Sequence, residues 1–118
     1  MDKFTRATQA LSDQTRLRIL NVLTTQECCV CEIMQALEIS QTRASRNLKI
    51  LNDAGFLKMR TDGLYTLYSL GDTNAKSFNY HLLNAVSIAI RENHEAHKDI
   101  ERLSNPTHSS IKCERMRK

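Results

Sequence analysis

Three thiols fall within four residues, at Cys28, Cys29 and Cys31, and a fourth, Cys113, stands near the C-terminus. Thiolates spaced in this way can chelate a soft ion such as As(III), Sb(III) or a thiophilic metal, because polarizable sulfur prefers such acceptors. They can instead oxidise with one another or with Cys113 as a redox switch, or pack as small hydrophobes with no sensing role. Cys28-x-x-Cys31 is also a CxxC, but a dithiol oxidoreductase carries that motif at the start of a helix after a βα unit, and no strand pattern precedes it here. In a regular helix residues 28 and 31 are neighbours while 29 and 31 point apart. One ion held by all three sulfurs therefore requires the first helical turn to unwind or never form. A helix N-terminus favours thiolates; the flanking Glu27 and Glu32 oppose them but attract a cation.

A second chemistry begins ten residues on. At about 100° per residue, Thr42, Ser45, Arg46, Lys49 and Asp53 share one helical face, with Ala44, Leu48 and Leu51 opposite. A helix with one packing face and one face of hydroxyls and cations suits the DNA major groove, where Arg and Lys donate to guanine or phosphate. The alternative is a solvated surface helix.

These residues need elements to hold them. Residues 2–11 read as a short helix with Phe4, Ala7 and Leu11 on one side. Ser12 or Asp13 caps a second, more buried helix carrying Leu17, Ile19, Leu20, Val22 and Leu23. The thiol segment leads into a third short helix, a polar turn at Glu38-Ile39-Ser40, and the basic-faced helix, which together form a helix-turn-helix. Gly55 suits a positive-φ helix end. Phe56–Thr61 and Leu64–Leu70 then alternate around Asp62-Gly63, a hairpin signal, and a hairpin after a recognition helix is a wing. Lys58, Arg60 and Lys76 lie near it and suit phosphate or minor groove, or plain solvent exposure. Tyr65 and Tyr68 face opposite sides, Tyr68 toward the core and Tyr65 toward DNA. A long helix is expected from about Thr73 to Leu103, with Phe78, Leu82, Ala85, Val86 and Ala89 in a stripe that meets a second copy together with the N-terminal helix.

With 118 residues the chain accommodates one core, expected over residues 1–103, and a flexible basic tail over 104–118. The net charge of +4 fits a polyanion partner. No apolar run approaches the roughly 18 residues of a membrane span, and the N-terminus lacks a signal-peptide core, so a cytoplasmic protein with reduced thiols and no membrane partner is expected.

Ala10–Leu23, Cys29–Leu37, Ser40–Leu51 and Ala54–Leu70 jointly resemble the ArsR/SmtB family of winged-helix metalloregulatory repressors, over residues 4 to about 100. The resemblance implies a mainly α winged helix-turn-helix with a β-hairpin wing. It further implies a homodimer through the N-terminal and long C-terminal helices, on double-stranded operator DNA that it leaves when an inducer binds, and no enzyme activity. Ser40, Gln41, Thr42, Ser45 and Arg46 would start and line the recognition helix, with Arg43, Lys49 and Arg60 completing the DNA-binding set. Asn47 stands where the family often has His, and can itself read adenine; Gln14 stands where it often has Pro.

The arsenic-sensing subgroup carries Cys-Val-Cys and a third Cys three residues on. Cys29-Val30-Cys31 is similar to it, but Met34 holds the third place and Cys28 stands as the compensating thiol, so the implied inducer site for As(III) or Sb(III) is Cys28, Cys29 and Cys31, with Cys113 as an accessory candidate. A thiol redox-responsive regulator of the same fold is the alternative. Zinc-sensing relatives carry Asp-x-His and, ten residues on, a second ligand pair. Here Asn79 replaces the carboxylate and His94-x-x-His97 falls two residues late, a rotation of about 200°, leaving surface histidines as the simpler reading. His108 has no evident partner.

Overall fold

The computed structural model describes residues 2–71 and 74–104; the expected tail beyond Ser104, with Cys113 and His108, lies outside the described residues. The chain runs α1 (Asp2–Ala10), α2 (Gln14–Leu23), α3 (Val30–Leu37), α4 (Gln41–Asp53), β1 (Leu57–Asp62), β2 (Tyr65–Leu70), α5 (Phe78–Ile90) and α6 (His94–Ser104). It is a mainly helical winged helix-turn-helix, as the periodicities predict.

Asp13 starts α2 by accepting from the Arg16 amide at 3.1 Å. Ile19, Leu20, Val22 and Leu23 then sink into a core shared with Ile33 and Ala36 of α3, Ala44, Leu48 and Leu51 of α4, and Phe56. The turn between α3 and α4 is less polar than its sequence suggests. Glu38 adopts φ 56° in the left-handed region, Ile39 is buried and donates back to the Met34 carbonyl, and Ser40 caps α4 by accepting from the Arg43 amide at 3.1 Å. Helix α4 closes as expected at Gly55, with φ 90°. The Gly55 amide reaches the Asn52 carbonyl and the Phe56 amide the Leu51 carbonyl, the two bonds of a Schellman motif.

The hairpin pairs Leu57 with Leu70 through to Asp62 with Tyr65, so the turn residues are Gly63 and Leu64, one step later than the predicted Asp62-Gly63. Gly63 takes φ 61° and Leu64 keeps a negative φ, which is a turn that wants glycine first.

The long C-terminal helix is not continuous. It breaks at residues 91–93, where Asn93 accepts from the Ala96 amide at 3.0 Å and starts α6 in a new direction. What drives the break is burial: α6 folds back to seat Ala96, Asp99 and Leu103 against α2 and α3. The stripe on α5 splits accordingly, with Val86 buried, Leu82 half-buried, and Phe78, Ala85 and Ala89 exposed. Phe4 of α1 meets Phe78 edge to face at 5.3 Å, which joins α1 and α5 into one partly exposed apolar surface. Beside it an apolar cavity of about 410 Å³ opens between α2 and α5, lined by Leu17, Leu82, Val86 and Ile90 among others.

Candidate thiol cluster and nucleic-acid interface

The first turn of α3 does not include Cys28 or Cys29. Helix α3 begins at Val30; Cys29 is its extended N-cap, with φ −85° and ψ 170°, and Cys28 lies before it in a β-bridge. The bridge partner is Tyr68 of the wing. The Cys28 amide donates to the Tyr68 carbonyl at 3.0 Å, and the Tyr68 amide donates to the Cys28 carbonyl at 2.8 Å. The Cys28 side chain is fully buried in the main core. Cys29, 3% exposed, packs with Leu67 of β2, and Cys31 and Tyr65 close over that pair. Tyr65 thus covers the thiol cluster, whereas the sequence suggested that it faces DNA; it shares the face of Leu67, two residues on.

The sulfurs therefore occupy three environments. Cys31 is half-exposed, Cys29 sits beneath it, and Cys28 points into the core. Among the described residues no three His, Cys, Asp or Glu side chains are grouped closely enough to hold a metal ion. Both flanking carboxylates are engaged within the protein. Glu32 is buried and accepts from the Cys29 amide at 3.0 Å, and Glu27 forms an ion pair with Arg60 of β1. That hydrogen-bonded pairing raises the Arg60 pKa above its ordinary value. On the C-terminal helices, the His81 ring lies 2.6 Å from the Ala75 carbonyl and the His97 ring 2.6 Å from the Arg91 carbonyl, and the helix break moves His94 and His97 onto α6.

The outer face of α4 carries Gln41, Thr42, Ser45, Arg46 and Lys49, all exposed, behind the exposed capping Ser40. Ala44, Leu48 and Leu51 are fully buried opposite, so the helix has one seated face and one presented face. Lys49 pairs with Asp53 at 3.1 Å along the surface. Two residues lie differently from the simplest reading. Arg43 donates to the Thr15 hydroxyl at 2.8 Å, tying its guanidinium to α2. Asn47, read from sequence as able to meet adenine, is buried: its Oδ1 accepts from Arg16 at 2.9 Å and its Nδ2 donates to the Arg43 carbonyl at 2.9 Å. It falls on the α2 side of the helix, adjacent to Leu48.

Sequence reasoning missed what holds α3 at its far end. Asp99 of α6, fully buried, accepts from Arg18 of α2 and from Arg102 at 2.7 Å. Arg102 also donates to the Ala36 carbonyl at 2.7 Å and Arg18 to the Leu37 carbonyl at 3.3 Å, satisfying the last carbonyls of α3. Asp99 raises the Arg18 pKa, chiefly through their hydrogen bonds. The signal was present: Ala96, Asp99 and Leu103 share one helical face, so a carboxylate lay on an apolar stripe with Arg102 one turn away.

This geometry has relatives. A family model described as bacterial regulatory protein, arsR family, matches residues 13–58. An arsenical resistance operon repressor of Bacillus subtilis is 37% identical over 71 residues, covering 59% of this chain and 68% of that protein. The chain belongs to the arsR family of bacterial regulatory proteins. A cadmium resistance transcriptional regulatory protein CadC homolog of Staphylococcus aureus is 41% identical over 69 residues, covering 58% of this chain and 57% of that one. The match thus spans little more than half of the staphylococcal relative. Among solved structures, the homodimeric winged helix-turn-helix DNA-binding domain Mb0332 of Mycobacterium bovis is 28% identical, with TM-score 0.65, covering 79% of this chain and 82% of that chain. Each of these relatives is named as a regulator, a repressor or a DNA-binding domain, and none as an oxidoreductase.

Proposed function

We propose that this protein is a dimeric transcriptional repressor that binds double-stranded operator DNA through α4 and the wing and is released when As(III) or Sb(III) binds Cys28, Cys29 and Cys31. The carrying observation is the position of the thiol segment, which is hydrogen-bonded to the wing and forms the N-terminus of the helix that leads into α4. The kinship with an arsenical resistance operon repressor supports the choice of ion. DNA recognition rests on Gln41, Thr42, Ser45, Arg46 and Lys49, exposed along one face of α4 beside an exposed hairpin. The joined α1 and α5 surface, with Phe4, Phe78 and the adjoining cavity, is where a second copy would seat. Sedimentation of the purified chain tests this, and a monomer at operator-binding concentrations would remove it.

Arsenite enters as As(OH)₃. Each As–S bond forms as a thiol proton leaves with one hydroxyl, so three thiols release three waters with no change of oxidation state. Cys28 must leave the core to take part. Breaking its two backbone bonds to Tyr68 costs about 1–3 kcal/mol, the size of a typical allosteric coupling. A redox-responsive regulator is the second reading, favoured by Cys29 and Cys31 sharing one small cluster. The test uses reduced protein on labelled DNA that it has selected from a random pool. Release by arsenite supports the first reading. Release by peroxide, reversed by dithiothreitol, supports the second, and release by neither overturns both.

A further inference from the structure

Helix α3 is held by different partners at its two ends. Its N-terminal approach belongs to the wing: Cys28 pairs through its backbone with Tyr68, Glu27 binds Arg60, and Cys29 packs on Leu67 beneath Tyr65. Cys28 is thus joined to the outer edge of the hairpin through one isolated β-bridge. The C-terminal end belongs to α6 and α2. Arg102 and Arg18 bond the Ala36 and Leu37 carbonyls while sharing the buried Asp99, and Gln35 donates to the Arg102 carbonyl at 3.2 Å. The connection to α4 leaves from this second, clamped end through the buried Ile39.

We infer that the wing, and not the recognition helix, is the element that thiol chemistry moves. This rests on the reading of the thiols as an inducer site and names the route by which that site acts. Gathering the three sulfurs on one ion draws Cys28 out of the core and so detaches residues 27–29 from β2. The hairpin then loses its outer hydrogen bonds, the Glu27 partner of Arg60 and the packing under Tyr65 together. Meanwhile Ala44, Leu48 and Leu51 keep α4 seated, and the Asp99 cluster keeps the last turn of α3 in place. Release from DNA follows from losing the wing's contacts while the groove-facing helix stays folded and placed.

Amide hydrogen exchange on the full reduced chain, with and without arsenite, tests this, with thiolate-to-arsenic absorbance read in parallel. The expected result is a rise in exchange of tenfold or more at the Cys28 and Tyr68 amides, which bond to each other's carbonyls, with the Ala44 and Leu48 amides of α4 unchanged. Absorbance showing bound ion while Cys28 and Tyr68 stay protected, or while α4 alone opens, overturns the inference. If no such absorbance develops, the inducer reading fails, and the wing link is judged without ion by Tyr68→Pro. That substitution removes the amide that donates to the Cys28 carbonyl and leaves the bonds within the hairpin, because the Tyr68 amide points away from β1. The expected outcome is operator binding weakened about tenfold, with a log–log salt slope shallower by roughly one to two phosphate contacts. A Tyr68→Pro chain that melts as a folded protein and binds with unchanged affinity and slope overturns the link.

Discussion

Arg18 meets Asp99 side-on across 81 residues of sequence, Nε to Oδ2 at 2.8 Å and Nη2 to Oδ1 at 2.7 Å. The bidentate pair joins α2 to α6, and Arg102 shares Oδ1 through its own Nη2 at 2.7 Å. Asp99→Asn keeps the shape and removes the charge, leaving the mostly buried Arg18 without its paired carboxylate and Arg102 with Glu38 alone, at 3.6 Å. The expected loss is about 3 kcal/mol or more, read by urea unfolding. Because the Arg18 pKa is raised in the folded chain, its contribution is complete below the unfolded arginine value and is lost only as pH climbs through the raised value in strong alkali. The deficit should therefore be the same at neutral and mildly alkaline pH. A loss within experimental error would show that Asp99 does not hold the two arginines.

Arg46 is exposed at mid-helix on the presented face of α4. Arg46→Ala should weaken operator binding with no change in melting temperature. A base contact costs about 1–3 kcal/mol and relaxes one position of the target, while a phosphate contact weakens all sequences alike and lowers the salt slope by about one. Titrations at several salt concentrations separate the two, and wild-type binding would remove Arg46 from the interface.

Cys31 is the half-exposed sulfur, so a hydroxyl is tolerated in its place. Cys31→Ser should abolish release by arsenite while operator affinity stays within a few-fold of wild type. Equal loss of affinity and response would mean that the thiols serve folding.

Gly55 holds φ 90° where α4 ends, and a Cβ there would lie 2.8 Å from Nδ2 of Asn79, which donates to the Ala54 carbonyl. Gly55→Ala adds backbone strain and displaces that amide, and stability should fall by about 1–3 kcal/mol. Thermal unfolding measures it; an unshifted midpoint would mean that the helix end adapts without strain.

The helices and the wing were legible because each carries a local signature. Asp13 and Ser40 cap their helices, Ala44, Leu48 and Leu51 repeat at helical spacing, and Gly55 and Gly63 sit where positive φ is required. The break between α5 and α6 was not, because residues 91–93 contain neither glycine nor proline and the turn is enforced by distant partners of Asp99 and Leu103. The thiols were visible as residue types, but their separation into core, cluster and half-exposed positions depends on Leu67 and Tyr68, about forty residues along the chain and beside them only once the wing has folded. The inward turn of Asn47, by contrast, was placed by the periodicity of α4: it lies three residues after Ala44 and four before Leu51, on the seated face, and only its partner Arg16, on a different helix, was out of sight.

That inward turn bears on how finely a target can be told apart. A side-chain amide is the group that grips adenine with two hydrogen bonds, and with Asn47 committed to Arg16 and Arg43, the exposed amide left on the presented stretch of α4 is Gln41, at its first residue. A symmetric pair of such readers would scrutinise one adenine on each arm of a palindrome. A survey of altered targets should then find two mirrored adenines whose replacement weakens binding, and Gln41→Ala should abolish that preference.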